Sequence, residues 1–201
     1  LKDIKCIGLE AAPARLNDYQ KWGFKSSSIT NRWKLYGFSN LPKKNFYKDN
    51  SHTFTVVPGS QISSEAVLNY DSQREPSPRP HFLNDWLKNS FGTVSALIDD
   101  NGMCHGFGRI RPCILQNNKK GWRIGPLLAD TPPLAELLIR ELVQDLESEI
   151  LLDCPGLNPY ANYLLSNLGF KPIAKTYRMY KGIQPTCPMN QVYGLACLEL
   201  G

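Results

Sequence analysis

The chain has 201 residues, 42% of them hydrophobic and 20% charged, which is ordinary globular composition with room for one good core and a remnant beside it. No apolar run approaches the roughly 20 residues that cross a bilayer, and Leu1-Lys2-Asp3 opens no signal peptide, so a membrane role and secretion are set aside. Of the net charge of +5, residues 1–50 carry 10 Lys and Arg against 4 Asp and Glu, whereas residues 51–201 carry 13 against 14; the basic excess lies in the N-terminal part and accompanies no nucleic-acid-binding motif.

In chain order, residues 4–11 predict a strand and 14–23 a short helix that Gly23 can end in a left-handed conformation. Residues 28–37 predict a second strand. Residues 38–51 read as a solvated linker, with Lys43, Lys44 and Lys48 among Asn, Pro and Ser. A new domain then starts. HTFTVVP (52–58) alternates as a strand, and Ser60 begins a helical pattern through Ala66, Val67 and Tyr70. The three prolines of REPSPRP (74–80) exclude helix, and HFLNDWLKN (81–89) restores it with Phe82, Leu83, Trp86 and Leu87 on one face. FGTVSALID (91–99) and MCHGFGRIRPC (103–113) are strands joined by the hairpin signal Asp100-Asn101-Gly102. WRIGPLLA (122–129) is a strand interrupted by Gly125-Pro126, where the missing ladder donor should make pairing bulge or stop. A helix over 132–148 follows, capped by Asp130 or Thr131 with prolines in its first turn. Strand 149–155, helix 158–169, strand 171–182, a Pro-containing loop and strand 192–200 complete the order β-α-α-β-β-β-α-β-α-β-β within residues 52–201.

One phrase occurs twice. Residues 7–36 and 150–180 each run from an apolar stretch into an acid, a proline, a short helical pattern, a Gly-Phe pair and an arginine; Phe24 to Arg32 and Phe170 to Arg178 are each 8 positions apart. Equal order and spacing indicate a duplicated supersecondary unit. Only the second copy has a full set of elements in front of it, so residues 1–37 read as the C-terminal remnant of a first domain, 38–51 as a linker and 52–201 as a complete domain. The absence of an initiator Met suggests that the chain is cut from something longer. The six cysteines (Cys6, Cys104, Cys113, Cys154, Cys187 and Cys197) are far apart, without C-x-x-C or zinc-finger His spacing. They read as reduced, mostly buried thiols of a cytoplasmic protein, and no metal site is expected.

The order of elements, with N158-P-Y-A-N-Y-L-L-S-N-L-G-F170 after a strand ending in Asp153, resembles the GCN5-related N-acetyltransferases (GNAT). IGPLLAD (124–130), LGFKPIAKTYRMYKG (168–182) and VYGLACLELG (192–201) look like the C-terminal domain of tandem GNAT proteins, and LEAAP (9–13) with YQKWGF (19–24) like the end of the preceding domain. The resemblance implies an α/β (α+β) fold: a mixed, mostly antiparallel sheet with splayed central strands, flanked by helices. It also implies acetyl transfer from acetyl-CoA, as co-substrate, to a small-molecule or peptide amine.

In that family the strand holding Ile124, Gly125 and Leu127 would offer free backbone groups to the pantetheine arm, and Asn158 would contact the same arm. The family's phosphate loop, R/Q-x-x-G-x-G/A, is replaced here by ADTPPLAELL (129–138). Pro132 and Pro133 have no N–H to donate, and Asp130 adds negative charge, which argues against pyrophosphate binding there. The family's proton-donating Tyr falls at Leu165 in the second copy and at Tyr19 in the first, which makes Tyr19 the catalytic candidate. His105, beside Arg109, is a candidate general base. Structural readings stand beside each: Tyr19 as a core aromatic, His105 as a structural histidine and Asn158 as a helix cap. A second reading of the whole is a degenerate GNAT-fold domain that binds a ligand, regulates or dimerises without turnover. Separately, the first copy has no final strand before residue 52, so its bare edge would be covered by strand 192–200 or by a second molecule in a homodimer.

Overall fold

The computed structural model describes residues 4–47, 54–75 and 77–198. The elements are β1 (Cys6–Ala11), α1 (Leu16–Lys21), β2 (Lys25–Tyr36), β3 (Phe54–Pro58), α2 (Ser64–Ser72), α3 (Pro80–Lys88), β4 (Thr93–Asp99), β5 (Cys104–Ile114), β6 (Lys120–Ala129), α4 (Pro132–Val143), β7 (Glu149–Pro155), α5 (Pro159–Asn167), β8 (Lys171–Gly182) and β9 (Val192–Gly194). The strands form one mixed, mostly antiparallel sheet in the order β1-β8-β2-β7-β6-β5-β4-β3, with β9 paired to β6. Residues 48–51 of the expected linker, 52–53 of the expected strand and 199–200 of the last one lie outside the described residues.

Side chains alternate across the sheet and so build two apolar layers. Leu127 packs with Leu138, Leu142 and Leu164 on the α4 and α5 face, while its neighbour Leu128 packs with Val67, Leu83 and Phe107 on the α2 and α3 face. Pro80 and Pro132 each occupy the first turn of a helix, where the absent N–H costs nothing. Residues 38–47 are mostly exposed, as a linker would be, yet they are tied to α4. Buried Glu136 of α4 accepts the backbone N–H groups of Phe46 and Tyr47, Arg140 donates to the carbonyls of Pro42 and Lys44, and Leu41 is buried. Composition alone could not reveal carboxylate and guanidinium partners that come from a helix some 90 residues later.

The repeat is written into the backbone as a local two-fold. From the short helix through the arginine strand, adding 146 to a position in the first copy gives its counterpart in the second, as Phe24 and Phe170 or Arg32 and Arg178 illustrate, and in the strand before the helix the offset is 143, as Glu10 and Asp153 illustrate. Thr30 pairs with Thr176, its own counterpart, so the pseudo-dyad passes between them. Around that point Ser28 pairs with Arg178 as Ala174 pairs with Arg32, and the bulged residues Ser27 and Ile173 are counterparts too. Outside the central pair, β1 runs along β8 with Glu10 opposite Arg178, and β7 runs along β2 with Asp153 opposite Arg32. Each copy therefore lends its last strand to the other. The helices feeding those strands end alike: Gly23 and Gly169 take left-handed φ values of 87° and 86°, and Phe24 and Phe170 donate N–H to the carbonyls of Tyr19 and Leu165.

Candidate functional site

Pairing between β6 and β7 is parallel and short, from Trp122 opposite Ile150 to Ile124 opposite Leu152, and it stops where Pro126 withdraws a donor. The two strands then part. The wedge between them holds β9: Leu127 and Leu128 pair with Gly194 and Val192, and Leu195 N–H donates to the carbonyl of Asp153 at 2.9 Å. At Gly125 the chain passes so close to residue 195 that a Cβ there would lie 2.1 Å from the Leu195 carbonyl oxygen, which only glycine permits. Asn158 caps α5 by accepting from Tyr160 N–H and Ala161 N–H, and its amide donates to the carbonyls of Asn190 and Val192. Gly125, Leu127 and Asn158 thus converge on residues 190–195 of the same chain, while Ile124 ends the pairing with β7 opposite Leu152. The last strand is shorter than expected, ending at Gly194, because it is wedged between β6 and β7 instead of extending a sheet edge.

At the start of α4, Thr131 precedes the two prolines and no side chain caps the first turn. Asp130 is held from three sides. It accepts Arg74 Nη2 at 2.7 Å and the Tyr70 hydroxyl at 2.8 Å, and His105 Nδ1 lies 2.9 Å away. The other imidazole nitrogen of His105 lies 3.2 Å from Asp99, whose carboxylate two turn N–H groups and this histidine hold below the usual range. Burial and the neighbouring Asp130 raise the Tyr70 phenol far above its ordinary value, so it stays a donor. Pro132 and Pro133 withhold two N–H groups from the first turn of α4 and the Asp130 carboxylate stands just before them, so the residues of this half do not fit a pyrophosphate.

A cavity of about 270 Å³ opens on the α2 side of the sheet, beneath the β8–β9 loop. Glu10 of β1, Ser28 and Thr30 of β2, and Arg178 and Tyr180 of β8 form its polar floor. Glu10 accepts the hydroxyls of both axial threonines, Thr30 at 2.9 Å and Thr176 at 2.7 Å, and burial still raises its carboxyl above the usual range. Arg178 spends its Nε on the Tyr180 hydroxyl and stands 3.9 Å from Glu10. Its counterpart behaves differently, for Arg32 closes on Asp153 through two hydrogen bonds of 2.7 and 2.9 Å.

The two catalytic candidates do not meet. Tyr19 sits on α1 against Trp22 and Phe24, half-buried, with its hydroxyl unbonded among the described residues. His105 lies on β5, three strand positions from β2 in the sheet, stacked near Phe54 and bridging Asp99 and Asp130; neither residue lines the cavity. Among the described residues no cluster of His, Cys, Asp and Glu could hold a metal ion, and no helix is long and apolar enough to cross a membrane.

Comparison with known families decides the affiliation, since an acetyltransferase (GNAT) domain matches residues 67–194. The chain belongs to the GNAT acetyltransferase family. A curated relative of this GNAT chain, the holothin acyltransferase of Pseudoalteromonas sp. (strain SANK 73390), is 25% identical over 99% of the chain and 63% of the relative. A Pyrococcus horikoshii protein assigned as an acetyltransferase superposes with a TM-score of 0.75 at 22% identity, covering 98% of this chain and 60% of that one. A GCN5-related N-acetyltransferase from Sphaerobacter thermophilus superposes at 0.58 with 12% identity, covering 93% and 62%. These structures share the fold, and the chain spans about three fifths of the length of each relative.

Within this GNAT fold, the residues that reading the sequence overlooked are Glu10 and Glu75, which join Arg178 at the cavity. Glu10 was legible as the counterpart of Asp153 in the repeat. Glu75 carried no signal, because it lies in a proline-rich turn beside Arg79 and comes to line a cavity only through β8 and the loop above it.

Proposed function

We propose that this chain is the C-terminal part of a tandem GNAT protein that transfers an acetyl group from acetyl-CoA to an amine. The observation that carries the tandem reading is the pseudo-dyad at Thr30 and Thr176. Counterpart logic extends it: β7 receives β6 in parallel along Ile150, Leu151 and Leu152, so a parallel strand belonging to the first copy would lie along Ile7, Gly8 and Leu9. Acyl-CoA chemistry then falls to the first copy. In the second, β9 takes up the free backbone of β6, Pro132 and Pro133 remove the anion-binding donors, and buried Leu165 replaces the tyrosine. Tyr19 is the proton donor this chain contributes, its phenolic proton serving the thiolate that leaves when the amine attacks the thioester.

The test measures CoA thiol release with a panel of amines, using the 201-residue chain and the same chain extended at its N-terminus. Turnover is expected only in the extended chain, and Tyr19→Phe should lower kcat by about 10²-fold or more, the usual share of a general acid. Turnover by the 201-residue chain that survives Tyr19→Phe would sink the assignment to the first copy, and failure of both chains to turn over would sink the acetyltransferase reading.

A further inference from the structure

The cavity under the β8–β9 loop is assembled from both copies of the repeat. Its floor comes from β1, β2 and β8, and its apolar wall from Pro155, Leu157, Met189, Val192 and Leu195. The volume of about 270 Å³ is near the lower end of the roughly 300–1,000 Å³ of small-molecule sites, and the mixture of apolar wall with a few convergent polar groups is what such sites use.

Its charges do not balance. Arg74 is consumed by Asp130, and the ring of Tyr70 lies 3.4 Å beneath its guanidinium. Arg79 is gripped by Asp71 through two hydrogen bonds of 2.9 and 3.1 Å, so Glu75, which also touches Arg79 at 2.7 Å, shares a guanidinium already neutralised. Arg178 faces Glu10. His105, the remaining basic group nearby, lies between Asp130 and Asp99. Four carboxylates (Glu10, Asp71, Glu75 and Asp130) thus meet three guanidiniums (Arg74, Arg79 and Arg178), and the surplus acid is Glu75 on the cavity wall.

We propose that this cavity binds a small amphipathic amine, its ammonium paired with Glu75 and its apolar body against Leu157, Met189, Val192 and Leu195. Burial supports the choice: it pushes the Glu75 carboxyl up to about 7 although Arg79 pulls it down, so an arriving cation relieves a desolvated charge. Glu10 is the poorer partner, since both its oxygens already accept threonine hydroxyls. The amine's role as acetyl acceptor rests on the acetyltransferase reading; its binding does not.

Calorimetric titration of the chain with tyramine and with 4-ethylphenol, which keeps the ring and loses the amine, tests the site. Tyramine should bind at least about tenfold more tightly, a difference of about 1.4 kcal/mol. Glu75→Gln should erase that preference and Glu75→Asp keep it, with circular dichroism melts checking that each variant folds. Gln184→Trp, an exposed residue at the cavity rim, should block both compounds without changing Tm. Equal binding of the two compounds, absence of tyramine binding, or binding untouched by Gln184→Trp would overturn the proposal. Acetyl transfer to tyramine by the extended chain separates the two ideas. Binding as described, with turnover of no amine in the panel, leaves the cavity and removes the acetyltransferase reading, whereas transfer indifferent to Gln184→Trp does the reverse.

Discussion

The two crossings of the repeat start from the same phrase and the same strand register, yet they close differently. On one side Arg32 clamps the buried carboxylate of Asp153, and β9 packs along the strand that carries it. On the other, Glu10 takes both axial threonines, Arg178 turns to Tyr180, and the space between them and the β8–β9 loop becomes a cavity. The threonines sit on the pseudo-dyad and can each serve only one side. Both serve Glu10. A duplicated backbone thus supports one lock and one pocket, and the choice between them is made by side chains at the axis.

The largest effect should come from removing the lock. Asp153→Asn leaves a buried site without its anion and should cost about 3–5 kcal/mol in urea unfolding, the usual range for breaking a buried pair, whereas Glu10→Gln, whose amide oxygen still accepts one threonine hydroxyl and whose NH2 can donate to the other, should cost only about 1 kcal/mol. Equal costs would erase the distinction between the two sides.

The pocket side should also betray itself in pH dependence. The Glu75 carboxyl is raised from its ordinary 4.5 to about 7, so the folded chain binds its proton more tightly than the unfolded one. The contribution to stability is then complete below about pH 4.5 and is lost as pH rises through 7, amounting to at most about 3 kcal/mol. Glu75→Gln should flatten that decline between pH 5 and 8, and an unchanged slope would show that Glu75 is not the surplus acid.

Asn158→Ala probes the strand in the wedge. It removes a cap and two anchors of residues 190–192 together and should lower stability by about 2–3 kcal/mol, with faster hydrogen exchange at Leu195, whose N–H reaches Asp153. A small effect, of the same order as Glu10→Gln, is expected from Thr176→Val. One hydrogen bond to Glu10 disappears, at about 1 kcal/mol, and the Glu10 carboxyl should rise further, as the carboxyl resonance in an NMR titration would report.

By itself the sequence determined what is local. The helices and most strands follow from periodicity, two helices starting at Pro80 and Pro132 and two ending near Gly23 and Gly169, although α4 stops at Val143, short of the expected 148. The break at Pro126 and the loss of the phosphate loop follow from the proline ring, and the duplication follows from counted spacing. Tertiary structure alone decided the partners: that β2 and β8 exchange across a dyad, that residues 192–194 enter the wedge, that residues 38–47 lie on α4, and that Glu75 faces a cavity. The physical reason is that strand period and turn chemistry act over a few residues, whereas edge pairing, burial and charge balance are set by groups brought together from distant parts of the chain.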